Sequence, residues 1–203
     1  MKRQNCLFAA LICALIFALV LIAGVARAGE TAAYVTLTGQ GAGYDPAVGL
    51  RLDHTTSRWS GIWALHGSAR ADLRKKYSAE DGHTYSVLAA IRAYLPPAPM
   101  IYLSAGAAVA GYRSEFATGT VWSKDTVHPV VGIGYDTDAI DLDLAYYAKE
   151  HCTPNEVEAL KLCGTAKIYG DWKLLLEVTG MRWLQGQETM TDAIWQAGVG
   201  YEF

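Results

Sequence analysis

His66, Gly67 and Ser68 place an imidazole and a hydroxyl two residues apart. On an extended chain, positions i and i+2 share a face, so the pair has base–nucleophile spacing. A carboxylate to orient the imidazole would complete a hydrolytic set, and Glu80 and Asp81 stand one hairpin away. Asp141 and Asp143 repeat the i, i+2 spacing as a carboxylate pair. Arg51, Asp53, Arg92, Lys167 and Lys173 add charges of both signs inside otherwise apolar stretches. These seven (Arg51, Asp53, Arg92, Asp141, Asp143, Lys167, Lys173) read as one ionic cluster. Buried ions are tolerable when paired and cost several kcal/mol when isolated, so the cluster favours a plug of salt bridges holding the barrel together. The alternative is a charged constriction in a small pore. The 5 His and 4 Cys show no metal-ligand spacing, so no metal and no cofactor is expected.

The elements that hold these groups follow from the two ends of the chain. Lys2 and Arg3 precede an apolar run from Cys6 to Ala26, and Val25-Ala26-Arg27-Ala28 carries small residues at the positions a signal peptidase reads. A cleaved signal peptide over residues 1–28 is therefore expected, with an uncleaved anchor as its rival. The remainder, 29–203, holds 14 basic and 20 acidic residues, a balance unsuited to nucleic acid. It has no apolar run long enough for a membrane helix. Its hydrophobic residues alternate with polar ones instead, and the full chain's Gly 20, Tyr 12 and Trp 6 suit a membrane barrel.

Ten strands are expected: about Ala32–Gly39, Tyr44–Asp53, Arg58–Asp72, His83–Leu95, Met100–Tyr112, Val127–Tyr135, Ala139–Lys149, Val157–Tyr169, Trp172–Leu184 and Ala193–Phe203. They form a single all-β domain, an antiparallel up-and-down transmembrane barrel. Short connections fall at His54–Ser57, Pro96–Pro99, Asp136–Asp138 and Gly170–Asp171. Longer ones fall at Leu73–Gly82, Arg113–Thr126 and Gln185–Asp192. An eight-strand alternative would put Cys152–Asp192 in one excursion and leave Lys173–Val178 in water, although that stretch is apolar. A Cys152–Cys163 disulfide would consume half of the eighth strand, so the ten-strand register disfavours it.

The last strand resembles that of single-chain bacterial outer-membrane proteins. Trp195, Tyr201 and the terminal Phe203 alternate with Gln196, Gly200 and Glu202, the pattern read there by the barrel-assembly machinery. The resemblance implies an outer-membrane location, contact with outer-membrane lipid and lipopolysaccharide, and short turns and both termini on the periplasmic side. His66, Ser68 and Glu80 resemble the His-x-Ser and Glu of outer-membrane lipid A deacylases, which hydrolyse an ester-linked acyl chain. That motif stands late in the family's chains, with Asn after the Ser; here it stands early and Ala69 follows. Asp125 with His128, and Glu150 with His151, are similar to the rim pairs of ten-strand outer-membrane proteases. The reading favours a structural, adhesive or docking barrel acting through its extracellular loops, with ligand unspecified. A narrow pore or an outer-leaflet hydrolase are the alternatives.

Overall fold

Strands that show apolar side chains to lipid cannot leave a backbone edge unpaired there, and this chain avoids one by closing on itself. The computed structural model describes residues 29–40, 46–73, 79, 81–148, 158–185 and 188–203. The expected leader, 1–28, lies outside the described residues, as do Glu80, Glu150, His151 and Cys152. The strands are β1 (Gly29–Gln40), β2 (Ala47–Thr56), β3 (Trp63–Asp72), β4 (Asp81–Leu95), β5 (Ala98–Glu115), β6 (Val121–Asp136), β7 (Ile140–Tyr147), β8 (Glu158–Tyr169), β9 (Trp172–Gln185) and β10 (Glu188–Glu202). Each runs antiparallel to its chain neighbours, and β1 pairs with β10 from Ala32↔Glu202 to Gln40↔Ile194 to close the barrel. The eight-strand alternative falls, because β8 and β9 are both wall strands, paired from Glu158↔Arg182 to Tyr169↔Trp172.

The outside of the wall is apolar. Leu50 is 65% exposed and Leu176 56%, where leucines of a soluble core would be near zero. Val35, Leu144, Leu162 and Val178 share that face. On β9 the outer face changes from Trp172 through Leu174, Leu176 and Val178 to the exposed Arg182, ten residues on. At about 3.3 Å per residue and a tilt of about 40°, that interval is about 25 Å high, the height of a barrel's lipid-facing band. Arg182 pairs with Glu158 and the Tyr146 hydroxyl donates to Glu158 at 2.7 Å, so polar contacts mark the upper limit of the band. Trp172 and Tyr201 meet edge to face at 5.6 Å near the other limit, on the side of Gly29 and Phe203, the termini of the described barrel.

Several boundaries differ from the sequence expectation. The third strand begins at Trp63 rather than Arg58. Ser60 and Gly61 both have positive φ (55° and 70°), and the Ile62 amide donates to the Trp59 carbonyl at 3.3 Å, a tight turn inside the expected strand. The expected Pro96–Pro99 connection is a Pro96-Pro97 turn, and β5 starts at Ala98. The expected loop Arg113–Thr126 is mostly strand, because β5 runs to Glu115 and β6 starts at Val121; only 116–120 connects them. The expected loop Gln185–Asp192 is a hairpin with Gln185 paired to Glu188. Asp81 and Gly82, expected in the loop Leu73–Gly82, belong to β4.

Candidate functional site

Alternation turns the polar half of each strand into the lumen, and the ion pairs there fall into three groups. The deepest gathers on Glu177 of β9, which is 6% exposed. Its Oε2 lies 2.6 Å from Arg51 Nη1 of β2 and 3.6 Å from Lys161 Nζ of β8; its Oε1 lies 3.5 Å from Arg70 Nη1 of β3. Arg51 also holds Asp53 at 2.8 Å, and Arg70 holds Asp72 at 2.5 Å. Three cations and three carboxylates thus span the lumen from β2 and β3 to β8 and β9 with no net charge. Arg51 reaches the buried Cys163 thiol as well, at 3.5 Å. Above them Asp72 accepts from Thr38 at 3.1 Å and Thr84 at 3.2 Å, and Gln196 donates to Thr38 at 3.2 Å.

Toward the termini, Arg92 Nη2 lies 3.0 Å from Asp141 and its guanidinium sits 4.2 Å over the Tyr102 ring. The Tyr102 hydroxyl is 3.1 Å from carboxylate oxygens of both Asp141 and Asp143. Gly134 makes this possible, since a β-carbon there would overlap the Tyr102 phenol. Tyr94 donates to Asp136 at 2.5 Å beneath the Arg58 guanidinium, 3.5 Å from its ring. At the rim, Lys173 and Lys167 hold Glu202 at 2.7 and 3.3 Å, and Lys173 reaches Glu30 at 3.5 Å.

Space is distributed unevenly around these groups. A vestibule of about 640 Å³ opens on the side of the termini, lined by Glu30, Arg58, Arg92, Tyr94, Asp136 and Asp141 among others. Behind it a cavity of about 60 Å³ reaches Arg51, His66, Lys161 and Cys163. That is room for about four waters. The Glu177 layer borders that cavity.

The sequence-predicted cluster therefore divides. Arg51 and Asp53 belong to the central layer, with Arg51 well inside β2. Arg92, Asp141 and Asp143 line the vestibule, and Lys167 and Lys173 stand at the rim. Glu177, Arg70, Asp72 and Lys161 were missed. The signal available was their parity: each falls on the polar face of its strand.

His66 and Ser68 share the inner face of β3 as their spacing requires. The His66 Nδ1 is engaged by Thr55 Oγ1 at 2.9 Å, and Ser68 is buried. Glu80 lies outside the described residues, so the structure brings two of the three residues to one face. Asp125 and His128 point to opposite faces of β6. Asp125 accepts from Tyr85 at 2.5 Å, and His128 is buried with Nδ1 at 2.9 Å from the Ala148 carbonyl. Trp195 and Tyr201 are on the outer face, and Phe203 is 70% exposed with its ring stacked on Tyr201 at 6.4 Å. Among the described residues no three His, Cys, Asp or Glu side chains are placed to hold a metal.

Comparison with known proteins supports the architecture. No family model matches the chain, and no curated protein does. Among solved structures it is similar to the outer membrane protease OmpT from Escherichia coli, with a TM-score of 0.54 and 10% identity, covering 87% of this chain and 97% of that one. It also matches the outer membrane channel DcaP of Acinetobacter baumannii (TM-score 0.40, 14% identity, 82% of this chain, 54% of that one). The Yersinia pestis outer membrane protein Ail matches at a TM-score of 0.40 and 13% identity, covering 86% of this chain and 99% of that one. At such identities the likeness is one of fold. The chain has the closed β-barrel fold found in bacterial outer-membrane proteins.

Proposed function

We propose that this protein is a plugged outer-membrane barrel whose work is done by the hairpins opposite its termini, in a structural, adhesive or docking role. The observation that carries the reading is the neutral layer around Glu177. Six charged side chains from β2, β3, β8 and β9 meet across the lumen, where an open channel would hold water. Ten strands also enclose far less space than the 16 to 18 of a wide aqueous porin. The polar side of the molecule that remains is the rim opposite the termini. There β5 and β6 pair up to Glu115↔Val121, past the apolar band, and β9 and β10 pair up to Gln185↔Glu188. A rigid scaffold that carries such hairpins suits recognition at the cell surface. Residues 1–28 would deliver the chain across the inner membrane as a cleaved signal, and the termini and short turns would face the periplasm.

Two measurements test this. Purified protein in planar bilayers gives no conductance above leak; steady wild-type channels refute the plugged reading. An epitope inserted at Thr118 is reached by antibody on intact cells, whereas one inserted at Gly170-Asp171 is reached only after the outer membrane is opened. The reverse pattern refutes the orientation.

A further inference from the structure

The lumen is blocked unequally along its length, and the inequality concentrates on one residue. From the side of the termini, the vestibule and the cavity behind it lead to the layer formed by Arg51, Arg70, Lys161 and Glu177. Within that layer the contacts converge on a single carboxylate. Among the described residues Asp53 forms its ion pair with Arg51 and Asp72 with Arg70, each within its own strand, and Asp72 otherwise accepts from the hydroxyls of Thr38 and Thr84. Glu177 is the group that ties β2, β3 and β8 to β9.

We propose that Glu177 is a latch and that the barrel is a latent conduit for small inorganic anions, released when this carboxylate is neutralised or drawn out of the layer. The inference rests on the reading that the resting barrel is closed. Charge fixes the class of solute. With Glu177 in place the layer holds three cations and three anions. Without it, Arg51, Arg70 and Lys161 face Asp53 and Asp72, a net charge of +1 in that layer. The three cations then repel one another across the lumen, and the long, flexible arginine and lysine stems let them move back against the wall. In water, a unit positive charge about 5 Å from a passing ion enriches anions about fourfold and depletes cations about fourfold, before screening by salt.

The test is single-channel recording in planar bilayers under a potassium chloride gradient, comparing wild type, Glu177→Ala and Glu177→Gln. The mobility of unboiled samples on gels reports that each barrel is folded. Wild type is silent. Glu177→Ala opens discrete steps whose reversal potential lies toward chloride. Adding Lys161→Met removes most of that preference. Glu177→Gln keeps the volume of the side chain and serves if the alanine variant fails to fold; it opens steps of the same sign less often. Silent wild type with silent, folded variants overturns the latch while leaving the plugged barrel intact. Steps that prefer potassium overturn the anion assignment. Wild-type conductance equal to that of the variants overturns both the latch and the closed barrel on which it rests.

Discussion

Replacing Glu177 by Gln while watching stability asks how much the central layer contributes to the fold. The substitution keeps the shape and removes the charge that faces Arg51 at 2.6 Å, Arg70 at 3.5 Å and Lys161 at 3.6 Å. Breaking a buried pair by removing one partner costs about 3–5 kcal/mol, because the other ion stays desolvated. The loss is not three times that figure, since Arg51 retains Asp53 and Arg70 retains Asp72. Among the described residues Lys161 is left with the Tyr147 ring, 5.2 Å from its Nζ. The cost therefore falls mainly on Lys161 and should be about 3 kcal/mol. Lys161→Met made on top of Glu177→Gln restores neutrality and fills a similar volume, and should recover about 2 kcal/mol of it. Urea unfolding in lipid vesicles, followed by the gel mobility of unboiled protein, reads each variant. A Glu177→Gln protein within about 0.5 kcal/mol of wild type would refute the reasoning. So would a double variant no more stable than the single one.

Other expectations follow from the same contacts. Gly134→Val would drive the Tyr102 phenol out of its place beside Asp141 and Asp143 and press on the Leu142 carbonyl, 2.6 Å from the new β-carbon. Overpacking of this kind costs about 1–3 kcal/mol, read by the same unfolding assay, and Gly134→Val paired with Tyr102→Ala should recover part of it. Gly61→Val places a branched residue at a φ of 70°, open to solvent but strained, and should cost about 1–2 kcal/mol with no change in barrel closure. Deleting Phe203 removes the exposed terminal ring stacked on Tyr201, and pulse-chase of cells should show slower accumulation of folded barrel in the outer membrane; unchanged kinetics would refute its role as an assembly signal.

The legible parts of this fold are those where only one face of a strand is polar. β7 is an example: Ile140, Leu142, Leu144 and Tyr146 alternate with Asp141, Asp143, Ala145 and Tyr147, so both its existence and its orientation are set by side-chain type. Gly170-Asp171 was visible as a two-residue turn for the same reason as its positive φ, since glycine carries no β-carbon penalty. The period vanishes above the band. There Arg113, Glu115 and Asp125 are outward and polar, the two faces no longer differ in residue type, and a long hairpin reads as a loop. The Ser60-Gly61 turn was hidden because Trp59 and Trp63 continue an apolar alternation straight across it. His66 and Ser68 were correctly spaced for one face, but the Thr55 hydroxyl on His66 comes from the register between β2 and β3. The Glu177 layer was the least legible. Arg51 and Glu177 are 126 positions apart, and only closure of the barrel brings them together.

Lipid exposure along one strand tests the central claim most directly. Nitroxide labels placed singly at Ile140, Asp141, Leu142, Asp143, Leu144 and Ala145, in a background with the native cysteines replaced by serine, would be read for collision with oxygen and with a water-soluble nickel complex in vesicles. The account predicts high oxygen contact at 140, 142 and 144 and low values at 141, 143 and 145, a strict two-residue period. Uniform contact along the strand, or nickel reaching 142 and 144 as readily as a label in free solution, would contradict it.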